Sequence, residues 1–423
     1  MRRGSALIIA TILVFPGCLG SAEDDVPTII EGDLVDWHKV SMDIDQEGWQ
    51  DPVHYAVDME SVPGTKIVLI SEWPESVDSP PIISSWRASN TEFLEIGRQA
   101  LPEQGEVDYF GNAQCGIKLA IRNNSGNQEV FLSRCMTNRT IVLEKYDLNP
   151  DGLLDPLSRE VLLQFDNGKN RGNFMHIVGE LEFGLGGDLF MFIGYNNQGN
   201  TSQDTNSPFG GILRMTVLDD GSIMPSNENP GIADDKWNPL VYAKGLRMPF
   251  TATQATDGSW FVGDVGDFNY ERIQKADQPG LNFGYPLWTE MKSGNCTDCE
   301  MLSSPVLEYS REYNHTFMEE DSMRSESFWS AIWVGVQVPD EACFPQEIRA
   351  KILFGDFARG FMRALDPVSG TSIHVGHLDG VVDMEIINGD VYALSTGIQK
   401  QEKFRTPGVW LMTTGDDDSS VAC

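Results

Sequence analysis

GDLFMFIG, residues 187–194, opens on a glycine turn, runs through five apolar residues and closes on a second glycine. A run of that length, rich in Phe and Ile and bounded by turn residues, reads as a strand buried on both faces. The pattern recurs as GTKIVLIS (64–71), GNQEVFLS (126–133), GSWFVGD (258–264), AKILFGD (350–356) and GDVYALS (389–395). Successive starts lie 62, 61, 71, 92 and 39 residues apart, a mean of 65. A blade of four short strands with its connections needs about that length, so the repeats predict an all-β chain folded as a six-bladed β-propeller. The long interval is expected to hold an insertion around 296–321, and the short one a compact last blade. A β-sandwich with repeated turn chemistry is the competing reading. Ligand sites of a propeller gather on loops at one end of the central channel, so chemistry should lie beside these strands.

The 423 residues carry 30 Lys and Arg against 63 Asp and Glu, a formal charge of −33, with 41% hydrophobic residues and ten tryptophans. Such a composition buries a core and is not that of a disordered chain. A surface this acidic repels phosphate backbones, which argues against a nucleic-acid partner. Residues 1–22 read as an export signal: Arg2 and Arg3, an apolar run over Ala6–Phe15 too short to span a bilayer, then Pro16-Gly17-Cys18. Cys18 is positioned as a lipoprotein's acylated cysteine would be, anchoring the chain to a membrane, and cleavage after Ala22 is the alternative. The expected organisation continues with an acidic tether over 23–35, the propeller over 36–414 and an acidic tail over 415–423. Either cleavage puts the mature protein outside the cell, at its surface or secreted.

Six cysteines follow Cys18, an even number that in an exported chain reads as disulfides, with the pairing open. Cys296-Thr-Asp-Cys299 lacks the second pair a zinc site would need and reads as a loop staple. Asp147 to Asp155 begins like a calcium loop, but Ser158 stands where a bidentate Glu belongs, so a Pro-Asp-Gly turn is the simpler reading. None of the six histidines forms the His-x₃-His spacing of a helical metal site. Among them, His176 is set apart by preceding a repeat strand.

From His176 onward, MHIVGELEFGLGGDLFMFIG, SPFGGILRMTV, YAKGLRMPF, WFVGDVGDFNYERI, GLNFGYP and KILFGDFARGFMRAL occur in an order that resembles the glucose/sorbosone dehydrogenase family. The resemblance covers roughly residues 106–396, its upstream part resting on GIKLAIRNNSGNQEVFLSRC. It implies a six-bladed propeller that oxidises aldoses with pyrroloquinoline quinone (PQQ) and calcium. In that family a base takes the sugar hydroxyl proton as hydride passes to the quinone. The family's H-x-x-G-x-L matches His176, Gly179 and Leu181, which implies His176 as the base. Its G-L-R-N-P matches Gly245 to Pro249, which implies Arg247 at the quinone carbonyl. The backbone carbonyls of Gly266 and Asp267 would hold the cofactor-bound calcium, Glu271 would serve a second, structural calcium, and Arg359 would supply a cofactor-binding charge beside Ala358.

Tyr195 stands where the family has the acidic partner of the base, and Met248 where it has Asn. The segment Gly380-Val381-Val382-Asp383 carries no cation where the quinoproteins have an arginine pair. Two functions follow: an exported quinoprotein sugar dehydrogenase, or a non-catalytic propeller of the same family that binds carbohydrate or protein at the cell surface. A calcium-dependent hydrolase is more distant, because no cluster of carboxylates at a channel mouth can be placed from the sequence.

Overall fold

The computed structural model describes residues 33–43, 53, 55–73, 80–89, 91–102, 117–136, 140–166, 177–196, 200–267, 269–287, 301–311, 330–341, 343–396 and 407–414. Strands are numbered in chain order. The first blade comprises β3 (Ala56–Ser61), β4 (Ile67–Glu72), β5 (Ile82–Ala88) and β6 (Glu92–Ala100), with the short β2 (Ser41–Asp43) parallel to β6 at its edge. The second holds β7 (Lys118–Asn124), β8 (Asn127–Cys135), β9 (Thr140–Leu148) and β10 (Glu160–Asp166). In the third are β11 (Val178–Phe183), β12 (Leu189–Ile193), β13 (Gly211–Val217) and β14 (Ile223–Pro225), with β15 (Val241–Lys244) also on β13.

The fourth blade is β16 (Pro249–Gln254), β17 (Trp260–Asp264), β18 (Tyr270–Ala276) and β19 (Leu307–Ser310). Next come β20 (Ile332–Gln337), β21 (Ile352–Asp356), β22 (Phe361–Leu365) and β23 (Ser372–His377). The sixth joins β24 (Val381–Ile387), β25 (Asp390–Ser395) and β26 (Gly408–Thr413) to β1 (Asp36–Lys39), so both ends of the propeller's chain share one sheet. The first strands of the blades touch in a closed ring, β3 to β7, β11, β16, β20, β24 and back to β3. This is the six-bladed β-propeller that the repeats predict.

Each repeat lands on the second strand of its blade: β4, β8, β12, β17, β21 and β25. The residue turning the chain into it has positive φ every time, at Gly64, Gly126, Gly187, Gly258 and Gly389, and at Ala350 with φ +56°. Glycine adopts that conformation without the clash that Cβ brings. All five residues of β12 are buried, because its blade is covered on both faces. The core therefore lies between blades: Leu69 and Ile83 of the first meet Leu119, Val130 and Leu132 of the second, and Phe192 of the third meets Trp260 and Val262 of the fourth. Pro150, Asp151 and Gly152 form the turn between β9 and β10, with Gly152 at φ +90°. Cys135 and Cys343 are each disulfide-bonded.

Candidate active site at one end of the central channel

His176 lies outside the described residues. The strand after it begins at a crowded point: Gly194 N–H donates to Ile177 O (2.8 Å) and Tyr195 N–H to Arg247 O (2.9 Å), so the starts of β11 and β16 meet at the end of β12. Gly179 allows the approach, because a Cβ there would lie 2.0 Å from the Pro249 carbonyl oxygen. Arg247 is 6% exposed. Its backbone N–H and that of Met248 both donate to Asp264 Oδ1, at 2.9 and 2.8 Å. Burial pushes the Asp264 carboxyl up to about 6, against those donors, which pull it down. The Arg247 guanidinium gives Nη1 to Val265 O (2.9 Å) and Nη2 to Asp267 Oδ1 (3.3 Å), and lies 5.6 Å from the centre of the Tyr195 ring. Its Nε is buried without a hydrogen-bond partner among the described residues. Tyr195 meets Tyr285 edge to face, centroids 5.1 Å apart, and burial with the neighbouring Tyr195 raises the Tyr285 phenol above its ordinary range.

Next to this, the atoms expected to serve calcium converge on a side chain. Arg311 donates Nη2 to Gly266 O and Nη1 to Asp267 O, each at 2.8 Å, and Nε to Glu271 Oε1 at 2.6 Å. Arg311 Nη2 also pairs with that carboxylate. The other oxygen, Glu271 Oε2, accepts from Gly266 N (3.0 Å) and Ile332 N (3.3 Å). Glu271 is fully buried, which pushes its carboxyl up to about 7, with Arg311 opposing. Arg359, 3% exposed, has its backbone N–H on Asp356 Oδ1 (2.9 Å) and its Nη2 on Arg311 O (3.2 Å). Arg247 and Arg311 thus hold the loop 265–267, and Arg359 in turn holds the backbone of Arg311. Arg311 was missed in the sequence because it lies 40 residues beyond Glu271, outside every motif, and its pairing is tertiary.

Comparison with known proteins bears on this end directly. The family model described as Glucose / Sorbosone dehydrogenase matches residues 130–323. Aldose sugar dehydrogenase YliI of Escherichia coli K12 is 31% identical over 115 residues, 27% of this chain and 30% of that protein's length. The PQQ-bound form of aldose sugar dehydrogenase (Adh) from Streptomyces coelicolor superposes with TM-score 0.62 at 16% identity, covering 91% of this chain and 99% of that one. The apo form of the soluble aldose sugar dehydrogenase (Asd) from E. coli gives TM-score 0.60 at 17% identity, covering 90% and 99%. The chain resembles the glucose/sorbosone dehydrogenase family over residues 130–323 and shares the fold of these solved structures.

The calcium that the resemblance implies can be tested against the residues of this loop. Calcium sits 2.3–2.6 Å from six to eight oxygens. Here the point on which the Gly266 and Asp267 carbonyls and the Glu271 carboxylate converge is filled by a guanidinium, and a second cation would meet its charge. The residues present do not fit a calcium ion at either expected position. On β24, Val381 and Val382 are buried, and the Asp383 carboxylate accepts from Met59 N (2.8 Å), so this strand brings no positive charge to the channel.

Deeper in, the channel is acidic. Asp58 and Glu60 on β3, Glu180 and Glu182 on β11, and Asp383 and Glu385 on β24 line a cavity of about 240 Å³. Strands β3 and β24 run the same way, since Met59 meets Asp383 and Ser61 meets Glu385. Arg247 precedes its inner strand, whereas Glu60, Glu182 and Glu385 lie toward the other ends of theirs. Lys118 of β7, fully buried, reaches Asp58 Oδ1 at 2.7 Å and Glu180 Oε2 at 3.3 Å, and those carboxylates hold its proton more tightly despite burial. Desolvation pushes Glu180 and Glu385 up to about 7, and raises Glu60, Glu182 and Asp383 well above the ordinary carboxylate range. The sequence carried a signal for this cluster in three acid-x-acid triplets, 58–60, 180–182 and 383–385, each alternating into the channel from a blade's first strand.

Proposed function

We propose that the protein is an exported, sugar dehydrogenase-like propeller that binds an aldose or related carbohydrate at the Arg247 end of its channel. The observation that carries this is the buried Arg247 Nε–H, which lacks an acceptor among the described residues and lies beside the Tyr195–Tyr285 pair. A sugar hydroxyl or ring oxygen supplies the missing acceptor, and the aromatic pair offers an apolar face to the C–H side of a pyranose. A hydrogen bond from a charged donor contributes about 1.5–3 kcal/mol, enough to orient a ligand with no other charge. The test is calorimetric titration of the purified protein with a panel of aldoses. Binding abolished in Arg247→Ala supports the reading, and no binding of any aldose refutes it.

A second reading, oxidation of the bound sugar, is favoured by the family match over residues 130–323. It requires PQQ as hydride acceptor, held by Arg247 and Arg359 without calcium, with His176 taking the hydroxyl proton. Arg311 on the calcium-binding atoms and Val381-Val382-Asp383 on β24 weigh against it, so no catalytic step is derived through the quinone. Dye-linked aldose oxidation after adding PQQ, lost in His176→Ala, would establish this reading over binding alone. Export is supported by residues 1–22 and by the disulfide-bonded Cys135 and Cys343. Anchoring through Cys18 predicts a diacylglyceryl mass on the mature N-terminus, whereas cleavage after Ala22 leaves Glu23 first.

A further inference from the structure

On a regular strand, residues three apart point to opposite faces. Strand β23 departs from this: Met362 faces Gly376 and Arg363 faces His374, which leaves Val375 as an extra residue in the ladder. The bulge brings His374 and His377 to one side, their rings 4.8 Å apart. Val375 O, released from the ladder, accepts from Leu34 N (2.8 Å) and Val35 N (3.2 Å), which seats the segment leading into β1 across the fifth blade. Asp33 Oδ1 then lies 2.9 Å from His374 Nε2 and 3.0 Å from His377 Nδ1, with Oδ2 3.1 Å from the latter. Gly376 leaves the room, since a Cβ there would stand 3.2 Å from Val35 O and 3.7 Å from the Asp33 carboxyl carbon.

We propose that Asp33, His374 and His377 bind a divalent transition-metal ion of the zinc type, through one carboxylate oxygen and two imidazole nitrogens, and so latch the N-terminal segment to the fifth blade. One ligand atom from each residue lies within 4.8 Å of the others. Ligands bonded at 2.0–2.1 Å to a tetrahedral ion stand roughly 3.3 Å apart, so the two distances from Asp33 Oδ1 to the imidazole nitrogens need only open by a few tenths of an ångström. Two neutral imidazoles and a carboxylate suit a borderline ion such as zinc better than calcium, which takes oxygen ligands. The side chains are 23%, 8% and 10% exposed for His374, His377 and Asp33, which shields two ligands and leaves a side open for entry and a water ligand. The bulge, the small residue at 376 and the docking of residues 34–35 on Val375 together build a three-ligand site from segments 341 residues apart.

The experiment is a zinc titration of the full, untagged, metal-stripped protein by calorimetry at about pH 7.5, with melting followed in parallel. One ion should bind per chain and raise the melting temperature. Asp33→Asn, which keeps hydrogen bonds to the rings, and His374→Gln should each weaken binding by about 100-fold, ligand loss costing at least as much as loss of an outer-shell partner. Cobalt(II) on the wild-type protein gives a check independent of variants, since strong visible bands report tetrahedral nitrogen and oxygen ligation. No binding by the wild type, unchanged affinity in both variants, or only the weak spectrum of aqueous cobalt would overturn the proposal and leave a hydrogen-bonded clasp.

Discussion

Arg311 and Glu271 form a buried ion pair whose guanidinium also clasps the backbone carbonyls of Gly266 and Asp267. One side chain thus performs the gathering of loop oxygens expected of a metal. Removing one partner of such a pair leaves the other charge uncompensated and costs about 3–5 kcal/mol. Arg311→Gln should lower stability by that order in urea denaturation. Adding Glu271→Gln to it should recover part of the loss. A double variant less stable than the single one would sink this account.

The wild-type protein should show no change in the melting of the loop-bearing fourth blade when calcium is added or chelated, because that point already holds a cation. Hydrogen exchange at residues 265–271 with calcium and with a calcium-selective chelator measures it. Calcium-dependent protection there would return the loop to metal binding.

Arg247 offers the candidate sugar its Nε–H, a charged donor without an acceptor among the described residues. Losing a charged hydrogen bond of about 1.5–3 kcal/mol weakens binding roughly 10- to 100-fold. Arg247→Lys, which cannot present Nε, should therefore bind the same aldose at least tenfold more weakly, with the fold unchanged by circular dichroism. Equal affinity would move the sugar away from this end.

The cavity carboxylates set a pH dependence whose sign follows from linkage. Glu180 and Glu385 sit at about 7 in the folded protein, and Glu60, Glu182 and Asp383 are raised in the same direction. A raised carboxyl stabilises the fold while protonated, fully below about pH 4, and that stability is lost as pH rises through the folded value. Asp33 and Asp188 shift the other way, so their contribution is present above about pH 4 and lost only in stronger acid. The urea midpoint should fall from about pH 5 to pH 8, and Glu60→Gln with Glu182→Gln should raise it at pH 8 and flatten the slope. A midpoint that climbs over this range in the wild type would contradict the placement of these acids.

Ala350 occupies a left-handed turn that glycine fills in the other five blades. A left-handed L-residue costs about 1–2 kcal/mol, and glycine gives back roughly 0.4–1 kcal/mol through the freer unfolded chain. Ala350→Gly should be neutral or slightly stabilising, and Gly389→Ala should destabilise by about 1 kcal/mol. Equal and opposite effects are not expected, and a destabilised Ala350→Gly would show that the Ala350 methyl packs.

The second strand of every blade was readable because glycine turns and short apolar runs are local signals, as at 187–194 and 389–395. The acid-x-acid triplets were visible too, but only the ring of β3, β11 and β24 shows that they face one cavity. Arg311 could not be assigned, since nothing local at 311 points to the loop at 265–267. The histidines of β23 lack the helical His-x₃-His spacing, and on a regular strand His-x₂-His places two side chains on opposite faces; the bulge at Val375, which brings them to one side, appears only in the pairing with β22.

The pairing of Asp36 with Thr413 and Lys39 with Trp410 fixes when the molecule can mature. The strand made first waits for the strand made last, across nearly the whole length of the chain, and the entropy of closing so long a loop falls on this one ladder. Five blades can assemble in order as they emerge, but the circle stays open until the final strand is released. A chain in that state still exposes the flanks of two blades, apolar faces that a chaperone can hold until the last strand arrives.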